Sequence, residues 1–122
     1  FLACAFEAHT LPWARQAQAI ATDGAGPCSI VGTPLKVPAP DAAFANSVAG
    51  HGLVREDMHT GSVSHLGIVV LPVLLALAQE RKVDGRAFAE AAIIGYEVGG
   101  RFGRAGRSVR RVRGAGSAGR GA

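Results

Sequence analysis

What this sequence has little of narrows it before any motif is read. Its two cysteines, Cys4 and Cys28, lack the density of a disulfide scaffold and the close pairing of a zinc or thioredoxin-like motif. A reducing, cytoplasmic compartment is expected. No apolar run reaches the roughly 20 residues that a bilayer-spanning helix takes, so no membrane partner is expected. No Met opens the chain and no basic stretch precedes the apolar run from Phe1 to Phe6, so a signal peptide is not expected and the chain reads as starting inside a helix.

Acidic residues are missing from one end only. Residues 1 to 100 hold six Lys or Arg against nine Asp or Glu, whereas residues 101 to 122 hold seven Arg and no acid. The formal charge of +4 therefore describes the tail and not the body. A nucleic-acid partner is not expected: the arginines from Arg101 to Arg113 have no regular scaffold. Gly114, Gly116 and Gly119 match the dinucleotide-binding spacing by chance, with neither a preceding strand nor a downstream acid.

What is present is apolar. At 122 residues, 48% hydrophobic and a mean hydropathy of +0.23, the chain has one small domain with a core. Leu2 to Ala8 reads as the end of an apolar helix. Pro12 suits the first turn of a second, which runs through Trp13, Ala17 and Ile20 towards Thr22 and is stopped by Gly24 and Gly26. Cys28 to Thr33 has the β-branched content of one isolated short strand, and prolines 34, 38 and 40 make the next residues an extended connection. Asp41 is placed to cap a helix reaching Leu53.

His65 to Ala78 is apolar enough for a helix buried on all sides, with Pro72 within it. Asp84 caps a last helix in which Phe88, Ala91, Ala92, Gly95 and Tyr96 keep helical spacing, to Gly99 or Arg104. Trp13 and Tyr96 read as core or boundary residues. From residue 106 the apolar pattern stops, and Gly, Arg, Ala and Ser offer nothing to offset the entropy of ordering. The fold class expected is all-α, with at most one short strand and a disordered tail over 106–122.

Chemistry concentrates between two of these helices. His51, Arg55, Glu56, Asp57, His59, Thr60, Ser62, Ser64 and His65 place three imidazoles, two carboxylates and three hydroxyls in one stretch. Imidazole beside carboxylate suits general acid and base work near neutral pH, and a loop fixed by buried helices can hold such groups in position. The bland alternative on residue types alone is a solvated loop with its histidines satisfied at helix ends. A metal site is not expected: His59, His65 and Asp57 lack the i, i+4 helical spacing of zinc proteases.

The order of the pieces resembles the MmgE/PrpD family. The run Asp41-Ala-Ala-Phe-Ala-Asn46-Ser-Val-Ala-Gly-His51 is followed by the acid and histidine loop. His65 then leads into Val70-Leu71-Pro72-Val-Leu-Leu-Ala76, and Gly95-Tyr96-Glu97-Val98 comes after. The resemblance covers about residues 1–105. It implies part of a larger enzyme, usually a homodimer, with a helical domain assembled from two separated chain segments around an inserted α+β domain. Such enzymes include 2-methylcitrate dehydratase, cis-aconitate decarboxylase and iminodisuccinate epimerase. They move protons next to a carboxylate of small polycarboxylates without a required metal or other cofactor.

Carried over residue by residue, the resemblance implies His65, Asp57 and His59 as catalytic candidates, and Arg55 and His51 as substrate-binding ones. The acid-rich stretch departs from the family pattern, with Val54-Arg55-Glu56-Asp57 in place of Asp-Phe-Asp-Asp and a spacing longer by about one residue. Residues 106–122 depart further, with the composition of a GC-rich gene read out of frame. On this reading 1–105 is a partial helical domain, inactive alone. The alternative is a small helical binding module whose basic tail contacts nucleic acid or membrane.

Overall fold

The computed structural model describes residues 1–21 and 26–117, with the backbone alone given for 107–117. Among the described residues there are five helices and one minimal hairpin: α1 (Leu2–Ala8), α2 (Pro12–Ile20), β1 (Cys28–Ser29), β2 (Lys36–Val37), α3 (Ala39–His51), α4 (Leu66–Arg81) and α5 (Gly85–Ser117). The expectation of a mainly helical protein holds.

Alanine decides the packing. α3 buries Ala39, Ala42, Ala45, Ala49 and Gly50, and it contacts α1, α2, α4 and both strands. Side chains this small let helix axes approach closely. One core cluster joins α3 to Ala17 of α2, Cys28 and Ile30 beside β1, Val37 of β2 and Ala76 of α4; a second joins Ala5, Ala14, Val31 and Ala49. Pro38 precedes the helix and Pro40 sits in its first turn, where a missing N–H costs nothing, so it begins ahead of Asp41 rather than being capped by it.

The extended segment after the prolines is not solitary. It returns antiparallel to the first strand, with Cys28 opposite Val37 and Ser29 opposite Lys36, so two strands form where one was expected. Two residues per strand satisfy few backbone groups, and neighbouring helices supply the rest. Asn46 of α3, almost fully buried, accepts the Val31 N–H at 2.8 Å and donates to the Ser29 carbonyl at 2.9 Å. Gln79 of α4 accepts the Ser29 N–H at 2.7 Å. Cys28 is fully buried with its Sγ on the Ala76 carbonyl; burial first, and then Glu80, push its thiol pKa up, which makes it inert. Both cysteines are free.

α4 is not buried on every side: Val69 and Val73 lie exposed one turn apart. Its other face meets α3 and α5. Asp84 caps α5 as expected, accepting the Ala87 N–H at 2.9 Å. The half-buried side of α5 carries Phe88, Ala91, Ala92, Gly95, Tyr96 and Gly99, the spacing read from the sequence, with Gly95 against Val70 and Gly99 against Leu66.

The backbone of α5 continues helical as far as Ser117. Residues 118–122 of the tail expected to be disordered lie outside the described residues, as does the predicted stop at Gly24. Among the described residues no helix is long and apolar enough to cross a membrane.

Candidate active site

The polar segment between α3 and α4 is held at many points. A short hairpin closes its second half, with His59 bridged to Ser64 through the His59 N–H and the Ser64 carbonyl at 2.9 Å. Inside that hairpin Ser62, buried, hydrogen-bonds His59 Nδ1 through its hydroxyl at 2.7 Å. Val54 and Val63 adopt the left-handed conformation, at φ of 51° and 52°. For a β-branched residue that is a strained state costing of order 1–3 kcal/mol, and such strain collects at functional sites.

Glu56 is the centre of the segment. Its side chain is completely buried, and one carboxylate oxygen, Oε1, receives His51 Nδ1 from the last turn of α3. His65, at the N-cap of α4, brings its Nδ1 to 3.1 Å from the same oxygen, near enough for an ion pair but not aligned for a hydrogen bond. The two rings meet edge to face with centroids 5.2 Å apart. Burial pushes the Glu56 pKa up, but its own backbone N–H, the hydrogen bond from His51 and the charges of His51 and His65 together outweigh that and hold it below the ordinary carboxylate range. The group is a buried anion shared by two imidazoles.

Asp57 has another set of partners. Its Oδ2 accepts the Gly67 N–H at 3.2 Å in the first turn of α4, and its carboxylate also takes the Tyr96 hydroxyl of α5. A carboxylate is favoured at a helix N-terminus, where backbone N–H groups lack partners. Gly67 is required for the approach: a Cβ there would stand 2.0 Å from Asp57 Oδ1. Burial, then the Asp57 charge and hydrogen bond, raise the Tyr96 phenol to about 12, so the phenol stays a donor at neutral pH.

Of the residues singled out from sequence, His51 and His65 come together. His59 lies instead in the hairpin and lines a groove of about 590 Å³ with Leu66, Ile93, Tyr96 and Glu97. Arg55 is well exposed and lies 3.9 Å from Glu7 of α1. Glu56, which was not singled out from the sequence, is the carboxylate that meets both His51 and His65. Its signal was its place five residues after His51 and nine before His65, which only the loop path converts into contact. A second groove of about 430 Å³ opens beside His51, between Trp13, Val48 and Gly52.

This arrangement suits proton transfer: a carboxylate that stays ionised, two imidazoles to carry protons, and open grooves alongside. Comparison with known proteins agrees with the order of motifs. The profile of the MmgE/PrpD N-terminal domain matches residues 1–117. Cis-aconitate decarboxylase from Aspergillus terreus is 32% identical over 111 residues, and the cis-aconitate decarboxylase-like protein oryM of Aspergillus oryzae is 31% identical over 113. Each alignment takes in 85% of this chain, and the chain spans 23% of the length of each relative. No solved structure matches it significantly. With the helical fold, the ordered motifs and a profile match over nearly its whole length, the chain belongs to the MmgE/PrpD family.

Proposed function

We propose that this chain is one wall of the active site of a cytoplasmic, homodimeric lyase that moves a proton next to a carboxylate of a small polycarboxylate such as cis-aconitate. The observation that carries the reading is the buried Glu56 carboxylate set between His51 and His65. His65 is the group that gives or takes the substrate proton. Glu56, 3.1 Å from its Nδ1, stabilises the imidazolium that forms, as a buried carboxylate does beside a catalytic histidine. His51 shares that carboxylate and faces the neighbouring groove, where it can bind substrate.

Arg55, loosely paired and exposed, is available to a substrate carboxylate, a contact guanidinium makes well. Asp57 fixes the N-terminus of α4 and with it the position of His65, and it is the second candidate acid. His59 borders the groove between the loop and α5 and is the second candidate for proton transfer. No metal or other cofactor is required for this chemistry. These residues supply only one side of a site, so the chain alone is expected to be inactive.

A chimera tests this: residues 1–117 replace the matching segment of the Aspergillus terreus decarboxylase, and carbon dioxide release from cis-aconitate is followed. The expected result is turnover that His65→Asn lowers by about 100-fold or more, the usual span for a general acid or base. Undiminished turnover in that variant would remove His65 from the mechanism. As an independent readout, the ring resonances of His51 and His65 in the unaltered chain are expected to shift when cis-aconitate is added. The rival reading, a binding module with a basic end, draws on the continuous helix that carries Arg101 to Arg113. It predicts nucleic-acid binding that falls steeply with salt.

A further inference from the structure

We propose that His51, Glu56 and His65 form a binding site for a divalent transition-metal ion of the zinc or cobalt kind. One ligand atom from each of the three lies within 4.8 Å of the other two. Two imidazole nitrogens and one carboxylate oxygen are the donor set of three-ligand zinc sites, whose fourth position stays open. Ligands about 2.0–2.1 Å from a tetrahedral ion stand roughly 3.3 Å from each other, and His65 Nδ1 is 3.1 Å from Glu56 Oε1. His51 stands closer to that oxygen, but its side chain is 51% exposed and has room to swing outward and admit an ion.

A second observation points to a ligand independently of the cluster. The Glu56 side chain is 0% exposed, yet its Oε2 has no hydrogen-bond partner, and neither has His65 Nδ1. Buried polar atoms are nearly always satisfied, and an unpaired oxygen on a buried anion is the costliest exception. A cation takes the His65 nitrogen as a ligand and balances the charge of the Glu56 carboxylate, and the trio differs from the His59, His65 and Asp57 set that sequence spacing argues against. The site uses the same residues as the proposed proton transfer without resting on that reading. A bound ion takes the His65 nitrogen and the Glu56 carboxylate out of acid and base work, so it is an inhibitor there and not a cofactor.

Cobalt(II) titration of the 122-residue chain, followed by visible absorption with zinc(II) as competitor, tests the site. One ion per chain is expected, with the intense absorption of four-coordinate cobalt, bleached by zinc. Glu56→Gln and His51→Ala are each expected to weaken binding at least about tenfold, a modest figure for losing a direct ligand when an outer-sphere partner alone is worth 10–100-fold. His51→Ala removes a half-exposed ring, and an unchanged circular dichroism spectrum confirms that it folds. His59→Ala leaves binding as it was. Weak octahedral-type absorption, or affinity that survives His51→Ala and Glu56→Gln, would overturn the proposal. Absent cobalt binding leaves the chimera's decarboxylation untouched, and an inactive chimera leaves the cobalt spectrum of this chain standing.

Discussion

α3 and α5 both carry small residues at helical spacing, yet they end in opposite situations. α3 is surrounded, with its alanines buried against α1, α2, α4 and the hairpin. α5 packs chiefly on α4 along its glycine and alanine side, and its other side leaves Ile93, Ile94, Val98 and Phe102 exposed, Phe102 at 76%. Periodicity in a sequence identifies a face that can be buried; whether a partner exists is a property of the rest of the molecule. Between these helices lies the polar loop, anchored to α3 by His51, to α4 by Gly67 and to α5 by Tyr96. The candidate site sits at the boundary between the satisfied half of the chain and the half with an uncovered apolar side.

Substitutions in the two regions should therefore differ in size. The largest loss is expected from Asn46→Leu, which strands the Val31 N–H and the Ser29 carbonyl in the core; about 2–4 kcal/mol should disappear in urea unfolding. Ala42→Leu, at a fully buried contact of α3, is expected to cost about 1–3 kcal/mol through overpacking. A small loss at either position would mean that α3 is not the hub.

Within the loop, Val63→Asn should stabilise by about 1 kcal/mol, because asparagine tolerates the left-handed backbone and the valine is exposed. Tyr96→Phe should cost about 1 kcal/mol by releasing Asp57. The chain has one tyrosine, so absorbance titration reads it directly and should find a midpoint of about 12. Because this pKa is raised on folding, the phenol's contribution is fully present below its unfolded value of about 10 and is lost as pH rises towards the folded one. Glu56 behaves in the opposite sense: its pKa is depressed, so its contribution is present above about 4.3 and is lost as pH falls through the lower folded value.

The smallest effect belongs to α5. Ile94→Ser and Phe102→Ser should each change stability by no more than about 0.5 kcal/mol, while lowering self-association in analytical ultracentrifugation. A large loss from either would show that this side is covered.

Much of the fold was legible because helix signals are local: Pro12, Asp84 and the apolar spacing of Phe88 to Tyr96 each act within a few residues. The pairing of β1 with β2 was not, since it depends on Asn46 and Gln79 reaching in from other elements. The exposure of Val69 and Val73 escaped for the same reason, as an all-round apolar helix carries no mark of which side lacks a neighbour. In the site, the loop and its histidines were legible from composition. The different settings of two adjacent carboxylates were not, because Glu56 turns inward and Asp57 turns to the start of α4 through a backbone path that residue types do not encode.

Which of the two carboxylates serves the proposed proton transfer is decided by one measurement. In the chimera with the Aspergillus terreus decarboxylase, Glu56→Gln and Asp57→Asn are compared for decarboxylation of cis-aconitate, each with its thermal midpoint. The buried carboxylate between two imidazoles predicts that Glu56→Gln loses more kcat than Asp57→Asn, whose cost falls mainly on stability through the cap of α4. A deeper loss of kcat in Asp57→Asn, with Glu56→Gln close to the parent, would contradict it.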